Sequence, residues 1–138
     1  MAKTLCDTNI LIDLFGAGQN WHDWSRRQVA VARGQGPLAV NPLIVAEFSV
    51  GFSDEGDVFE LLGKDAFEHE PLPWNAAFRA GSAFLTYRRR GGDKRSPLPD
   101  FYIGAHALLA GHRLLTRDAA RYRAYFPDLE IVCPETHP

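Results

Sequence analysis

Thr4-Leu5-Cys6-Asp7-Thr8-Asn9-Ile10-Leu11 is the stretch that decides how this chain is read. Its first three residues have the character of a short buried strand, and Asp7 closes the run. Thr8 and Asn9 then offer capping oxygens to a helix carrying Ile10, Leu11, Leu14 and Phe15 on one face. A strand passing at once into a helix is the opening unit of a parallel α/β fold. The acid between them is the anomaly. An ionised carboxylate beside apolar packing is costly unless it is paired or coordinates a cation.

Three more acids stand at comparable places. Glu47 interrupts Leu43-Ile44-Val45-Ala46 before Phe48, Asp100 opens Asp100-Phe101-Tyr102-Ile103-Gly104-Ala105, and Asp118 follows Leu114-Leu115-Thr116-Arg117. Between them the pattern alternates. A second helix is expected from about Trp21 to Ala32, ended by Gly34 and Gly36-Pro37, then a strand at Leu38-Ala39-Val40. Asn41-Pro42 starts the next helix, since Asn caps and Pro needs no N–H partner in the first turn. Its spacing places Glu47 on one face with Leu43, Ala46 and Val50, on the apolar stripe and not toward solvent.

Ser53-Asp54-Glu55 starts a further helix closed by Gly63, and residues 66–72 form a weaker strand candidate bounded by Pro71 and Pro73. A long helix from about Trp74 to Arg89 offers Ala77, Ala80, Gly81, Phe84 and Leu85 for packing. After the loop at 90–97 come the Asp100 helix, a strand at Arg113-Leu114-Leu115-Thr116, a short helix over 119–126 and a last strand at Leu129-Glu130-Ile131-Val132. Such alternation implies a mainly parallel sheet covered on both faces. Ligands of such sheets bind beyond the carboxyl ends of the strands, where strand order reverses. If the first and fourth strands are neighbours, Asp7 and Asp118 converge there.

At 138 residues the chain suits one domain, 1–138, with a single core. A net charge of −2 gives no general basic surface for nucleic acid, so any such contact must come from local patches. Cys6 and Cys133 read as buried free thiols rather than a disulfide pair. With no signal-peptide run after Met1-Ala2-Lys3 and no apolar run of membrane-spanning length, a cytoplasmic protein without membrane contact is expected.

Leu5-Cys6-Asp7-Thr8-Asn9-Ile10-Leu11, Val45-Ala46-Glu47-Phe48, Pro99-Asp100-Phe101-Tyr102-Ile103-Gly104-Ala105-His106-Ala107 and Leu115-Thr116-Arg117-Asp118 together resemble the PIN-domain nucleases, in an order most similar to VapC toxins. The resemblance extends through the closing Tyr122-Arg123-Ala124-Tyr125-Phe126-Pro127. It implies a three-layer α/β/α domain with strand order 3-2-1-4-5, metal-dependent RNA cleavage, a homodimer, and inhibition by a small VapB-like antitoxin. The residues fit that chemistry in their own right. Hydrolysis of a phosphodiester needs an activated water and screening of the phosphate charge, which Mg²⁺ or Mn²⁺ supplies, and hard oxygen ligands suit those ions. Asp7 and Asp100 are the leading metal ligands, with Glu47 and Asp118 completing the site directly or through water. Asn9 and Thr116 match polar positions of the family motif and would orient ligands or waters.

Plainer readings stand beside these. Asp7, Asp100 and Asp118 could each cap the helix that follows, as could Asn9 and Thr116 locally. For Glu47 the plain reading is an Arg or Lys partner. His106 reads as a packed or half-exposed helix histidine, His22, His69, His112 and His137 as surface residues, and Asp13 as a solvated acid or a cap. Arg88, Arg89, Arg90, Lys94 and Arg95 form the densest basic run; they are candidate RNA contacts or a solvated helix end favoured by the helix dipole. Arg117, Arg121 and Arg123 lie near Asp118 and are candidate phosphate contacts. Two rival classes remain: a PIN-fold RNA-binding module without catalysis, and a receiver-like phosphoacceptor. The second lacks adjacent acids after the first strand and a lysine in the last strands.

Overall fold

β1 (Thr4–Cys6) is wholly buried and lies at the centre of the molecule. The computed structural model describes residues 2–93 and 98–138. After β1 come α1 (Thr8–Phe15), α2 (His22–Gln35), β2 (Leu38–Val40), α3 (Pro42–Ser49), α4 (Glu55–Leu61) and β3 (Glu68–His69). The second half holds α5 (Trp74–Arg89), α6 (Leu98–Ala110), β4 (Arg113–Leu115), α7 (Ala120–Tyr125) and β5 (Ile131–Val132). The five strands pair in parallel in the order β3-β2-β1-β4-β5, with Leu5 beside Ala39 on one side and Leu114 on the other. This is the expected order. It puts the reversal between β1 and β4, so the residues after both strands leave the sheet side by side.

Helices cover both faces in three layers. α1 packs against α2 and α3, while α5, α6 and α7 pack together. The core is aliphatic at the sheet, with Leu5, Ile10, Leu11, Ile44, Leu114 and Leu115 all fully buried. Under α5, α6 and α7 it turns aromatic: the Phe101 ring lies 5.5 Å from Tyr87 and 5.1 Å from Tyr125, centroid to centroid. Ring pairs at such spacing add directional attraction to the area they bury. Gly104 explains how closely α7 approaches α6. A Cβ built there would lie 2.6 Å from the Phe126 ring and 3.1 Å from Tyr122, so only glycine admits that contact. Gly104 is one turn beyond Asp100, and this contact therefore brings α7 up to the acid.

Several local expectations are corrected. Asn41 does cap α3, its Oδ1 accepting from Ile44 N at 2.9 Å, with Pro42 in the first turn. The helix is turned otherwise than its apolar spacing suggests: Ile44 and Phe48 are buried, whereas Ala46, Glu47 and Val50 are exposed. Glu47 is thus not on the packed stripe. α5 likewise buries its small residues Ala76, Ala80 and Ala83 and exposes Ala77, Gly81 and Leu85. Gly34 lies inside α2 and Gly36 is its cap. β3 shrinks to two residues, Glu68–His69. Both cysteines are free and buried, as expected. Among the described residues no helix is long and apolar enough to cross a membrane.

Candidate functional site

The end of β1 fixes Asp7. Its backbone N–H continues the sheet by donating to Leu115 O at 2.9 Å, and its Oδ1 accepts from Thr8 N at 2.8 Å as the cap of α1. Capping was the plain reading for this residue, and it uses one carboxylate oxygen. The other, Oδ2, accepts from Thr116 Oγ1 and from Tyr122 Oη, each at 2.9 Å. Thr116 is itself saturated. It spends its single proton on Asp7 and receives Asn9 Nδ2 and Asp118 N, both at 3.2 Å. Asn9 Oδ1 in turn accepts from Arg117 N at 3.1 Å. The helix after β1 and the loop after β4 are therefore stitched together around Asp7.

The remaining acids arrive from other elements. Asp100 sits in the first turn of α6, half-buried, with Arg121 Nη1 donating to its Oδ2 at 2.8 Å. Glu47 reaches over from α3, and Thr8 Oγ1 donates to its Oε1 at 2.8 Å. Its partner is thus a hydroxyl rather than the Arg or Lys of the plain reading. Asp118 is exposed and does not cap α7, whose capping position is Ala119 with no side-chain bond. Asp7, Glu47, Asp100 and Asp118 all line one cavity of about 230 Å³, together with Thr8, Asn9, Ile12, Arg121 and Tyr122.

The electrostatics of that cavity are uncompensated. Burial pushes the Asp7 carboxyl up to about 6, with the charge of Asp100 adding to the rise; the bonds from Thr116, Thr8 and Tyr122 offset only part of it. Asp100 is raised too, by burial first and by repulsion from Asp118, against the pull of Arg121. Among the described residues, four carboxylates share this small cavity with one guanidinium. A hard divalent cation suits such a set of oxygen donors.

Tyr122 and Thr8 are the site residues that sequence reading passed over. Tyr122 lies four positions after Asp118 in the closing segment, but nothing local shows that its hydroxyl returns to β1. Arg117 is corrected. Its guanidinium grips Asp13 in a two-pronged pair, Nε to Oδ2 at 2.8 Å and Nη2 to Oδ1 at 3.1 Å, so it is not turned toward the cavity. Asp13 is accordingly no solvated acid; it is 1% exposed and also accepts from Ser25 Oγ at 2.9 Å. Arg88, Arg89 and Arg90 are exposed at the end of α5, with Arg90 over the Tyr125 ring. Lys94 and Arg95 lie outside the described residues.

A second polar cluster joins β3, α6 and β4. Glu70 Oε1 accepts from His106 Nε2 at 2.9 Å and from His112 Nε2 at 2.8 Å, and its Oε2 takes Lys3 Nζ at 2.8 Å. His112, expected at the surface, is half-buried here and His106 is buried. Burial alone would raise Glu70, yet the bonds from Lys3, His112 and His106 hold it down at about 2. The three ligand-type atoms of Glu70, His106 and His112 lie within 4.8 Å of one another. Asn41 favours the hydrogen-bonded arrangement over a metal. Its Oδ1 is taken by Ile44 N, so its amide N–H must face His106 Nδ1 at 3.0 Å, and the His106 proton must sit on Nε2, toward Glu70. A cation on Nε2 would drive that proton onto Nδ1, against the amide. As it stands, the cluster is a hydrogen-bonded network centred on Glu70.

Comparison with known proteins agrees with this architecture. The family model for the PIN domain matches residues 4–127. No curated protein sequence matches. Among solved structures, VapBC2 from Rickettsia felis, bound to a DNA fragment from its promoter, superposes with a TM-score of 0.74 at 15% identity, over 95% of this chain and 98% of that one. FitAcB from Neisseria gonorrhoeae gives 0.71 at 18%, over 98% and 99%. A toxin–antitoxin complex from Klebsiella pneumoniae gives 0.63 at 24%, over 94% and 95%. At these identities the structures speak for the fold, and the family match runs from β1 through Asp7, Glu47, Asp100 and Asp118 to the end of α7. The chain belongs to the PIN domain family.

Proposed function

We propose that this protein is a metal-dependent endoribonuclease and the toxin of a toxin–antitoxin pair. The observation that carries the reading is the convergence of Asp7, Glu47, Asp100 and Asp118, from four separate elements, on one cavity whose acids outnumber its cations. Asp7 and Asp100 would hold Mg²⁺ or Mn²⁺, with Glu47 and Asp118 completing the site directly or through water. The bound ion would supply an activated water and screening of the scissile phosphate. The chain's own residues prepare the site. Thr116 and Tyr122 fix the Asp7 carboxylate, Thr8 fixes Glu47, and Asn9 holds the loop that carries Asp118. A receiver-like reading is the weaker one, because Asp7 is followed by Thr8-Asn9 rather than a second acid and the last strands carry no lysine.

Attraction of RNA to a chain of net charge −2 falls to local cations. Arg121 lines the cavity, and Arg88, Arg89 and Arg90, continued in sequence by Lys94 and Arg95, precede the Asp100 helix. Partners need apolar surface. The acid cavity shares Ile12 and Glu47 with an apolar groove of about 470 Å³ that also includes Phe15, Phe48, Val50 and Phe52. We assign that groove to a VapB-like antitoxin, whose cationic side chain could reach the acids from it. The exposed row Trp74, Phe78 and Leu85 on α5, 92%, 83% and 48% exposed, we assign to a second copy in a homodimer. We place the protein in the cytoplasm, where an antitoxin-controlled ribonuclease would meet its RNA. The test is incubation of purified protein with RNA and Mn²⁺ or Mg²⁺. The wild type should cleave, and both Asp7→Asn and Asp100→Asn should not; full activity in both variants removes the acids from the reaction.

A further inference from the structure

Among the described residues, Arg121 is the one cation lining the acid cavity. α7 presents two consecutive side chains to it: Arg121 takes Asp100 Oδ2 at 2.8 Å, and Tyr122 takes Asp7 Oδ2 at 2.9 Å. The two contacts differ in kind. Tyr122 is 2% exposed and packed, so its hydroxyl is a fixed support. The Arg121 side chain is 39% exposed, so packing does not enclose it, and its guanidinium lies 5.9 Å from the Tyr87 ring centroid.

Asp100 has two oxygens, and the guanidinium holds one of them. A divalent ion at the same carboxylate meets a competitor for the oxygen and a positive charge beside it. The released guanidinium would remain at the cavity wall, tethered by α7, with its planar donor fork matched to a phosphate. On the metal-site reading above, we propose that Arg121 is a displaceable counter-cation: it competes with the divalent ion for Asp100 and passes to the substrate phosphate when the ion binds. Arg121 is then a positioning group for Asp100 in one arrangement and a substrate contact in the other.

The sign of one measurement separates this from a purely structural role. A residue that props Asp100 in place would, when removed, weaken metal binding; a competitor would, when removed, strengthen it. Mn²⁺ affinity is measured by titration calorimetry for the wild type, Arg121→Gln and Arg123→Gln. Arg123 is on the same helix but bonds Cys133 Sγ and lies near Glu135, so its variant matches the charge change away from the cavity. Arg121→Gln is expected to bind Mn²⁺ roughly 3- to 10-fold more tightly, the scale of a partly exposed ion pair plus cation repulsion. Arg123→Gln should bind as the wild type does, and Arg121→Lys, which keeps charge but not the fork, should fall between. At saturating Mn²⁺, Arg121→Gln should still cleave RNA more slowly. Weaker or unchanged Mn²⁺ binding in Arg121→Gln overturns the proposal, as does equal tightening in Arg123→Gln or undiminished cleavage. A wild type that binds no Mn²⁺ overturns the metal-site reading itself, whereas failure of the Arg121 variants alone overturns only this inference.

Discussion

Replacing Asp7 with Asn should stabilise the metal-free protein at neutral pH, although it removes a residue bonded on both oxygens. Burial carries the Asp7 carboxyl from 3.8 to about 6 in the folded state. Between those values the folded protein holds a proton that the unfolded chain has lost, so stability is fully present below pH 3.8 and falls as pH rises through about 6. At about 1.4 kcal/mol for each tenfold change in proton affinity, the ionised group destabilises the fold by at most about 3 kcal/mol at about pH 7.5. Asn removes that charge and keeps the acceptor for Thr8 N, but of the two hydroxyls facing its amide only Tyr122 can turn to accept, since Thr116 Oγ1 already takes Asn9 and Asp118, an offset of about 1–2 kcal/mol. Asp7→Asn should therefore be about 1–2 kcal/mol more stable than the wild type at about pH 7.5 in EDTA, and no more stable at about pH 4. Urea unfolding at steps between those pH values reads the difference directly, and other titrating groups cancel from it. Excess Mn²⁺ should reverse the order at neutral pH, because only the wild type keeps the full ligand set. A difference that stays flat with pH, or an Asn variant that is less stable throughout, would refute the reasoning.

Four other perturbations have defined outcomes. Asp13→Ala leaves Arg117 without its buried partner and should lower stability by about 3 kcal/mol in denaturant unfolding, well beyond an ordinary surface substitution. Gly104→Ala drives a methyl group into the Phe126 ring and should destabilise by about 1–3 kcal/mol, with loss of cleavage as α7 backs away from the acids. Replacing Arg88, Arg89 and Arg90 with Ala should weaken RNA binding and flatten its salt dependence, by about 0.7 in log–log slope for each phosphate no longer neutralised, with Mn²⁺ affinity unchanged. Phe78→Glu places a charge in the exposed α5 row and should give a monomer in sedimentation if that row joins two copies.

The frame of the fold was legible because its signals are local. Three buried residues before Asp7, Asn41-Pro42 before α3 and Leu114-Leu115 before Asp118 each declare an element from their immediate neighbours, and alternation then dictates a parallel sheet. Helix phase was less legible. In α3 the apolar residues Leu43, Ala46 and Val50 suggested a buried stripe, yet tertiary packing selected Ile44 and Phe48 and left Glu47 free to face the cavity. In α5 the packing face was only partly read: Ala80 is buried as expected, but Ala77, Gly81 and Leu85 are exposed and Ala76 and Ala83 are buried in their place. The polar networks were invisible for a different reason. Asp13 meets Arg117 across 104 positions and Glu70 meets His106 across 36, and no local pattern pairs residues so distant. Tyr122, 115 positions from Asp7, belongs with them.

The most direct measurement is end-mapped cleavage of total RNA by purified wild type, with Mn²⁺ and with EDTA, beside Asp7→Asn and Asp100→Asn. The expected result is cleavage with Mn²⁺ by the wild type alone. Its new ends should carry simple phosphomonoesters, because water and not the RNA 2′-hydroxyl is the nucleophile. Cleavage that persists in EDTA or in both variants, or that leaves 2′,3′-cyclic phosphates, would contradict a metal-dependent hydrolytic site at these four acids.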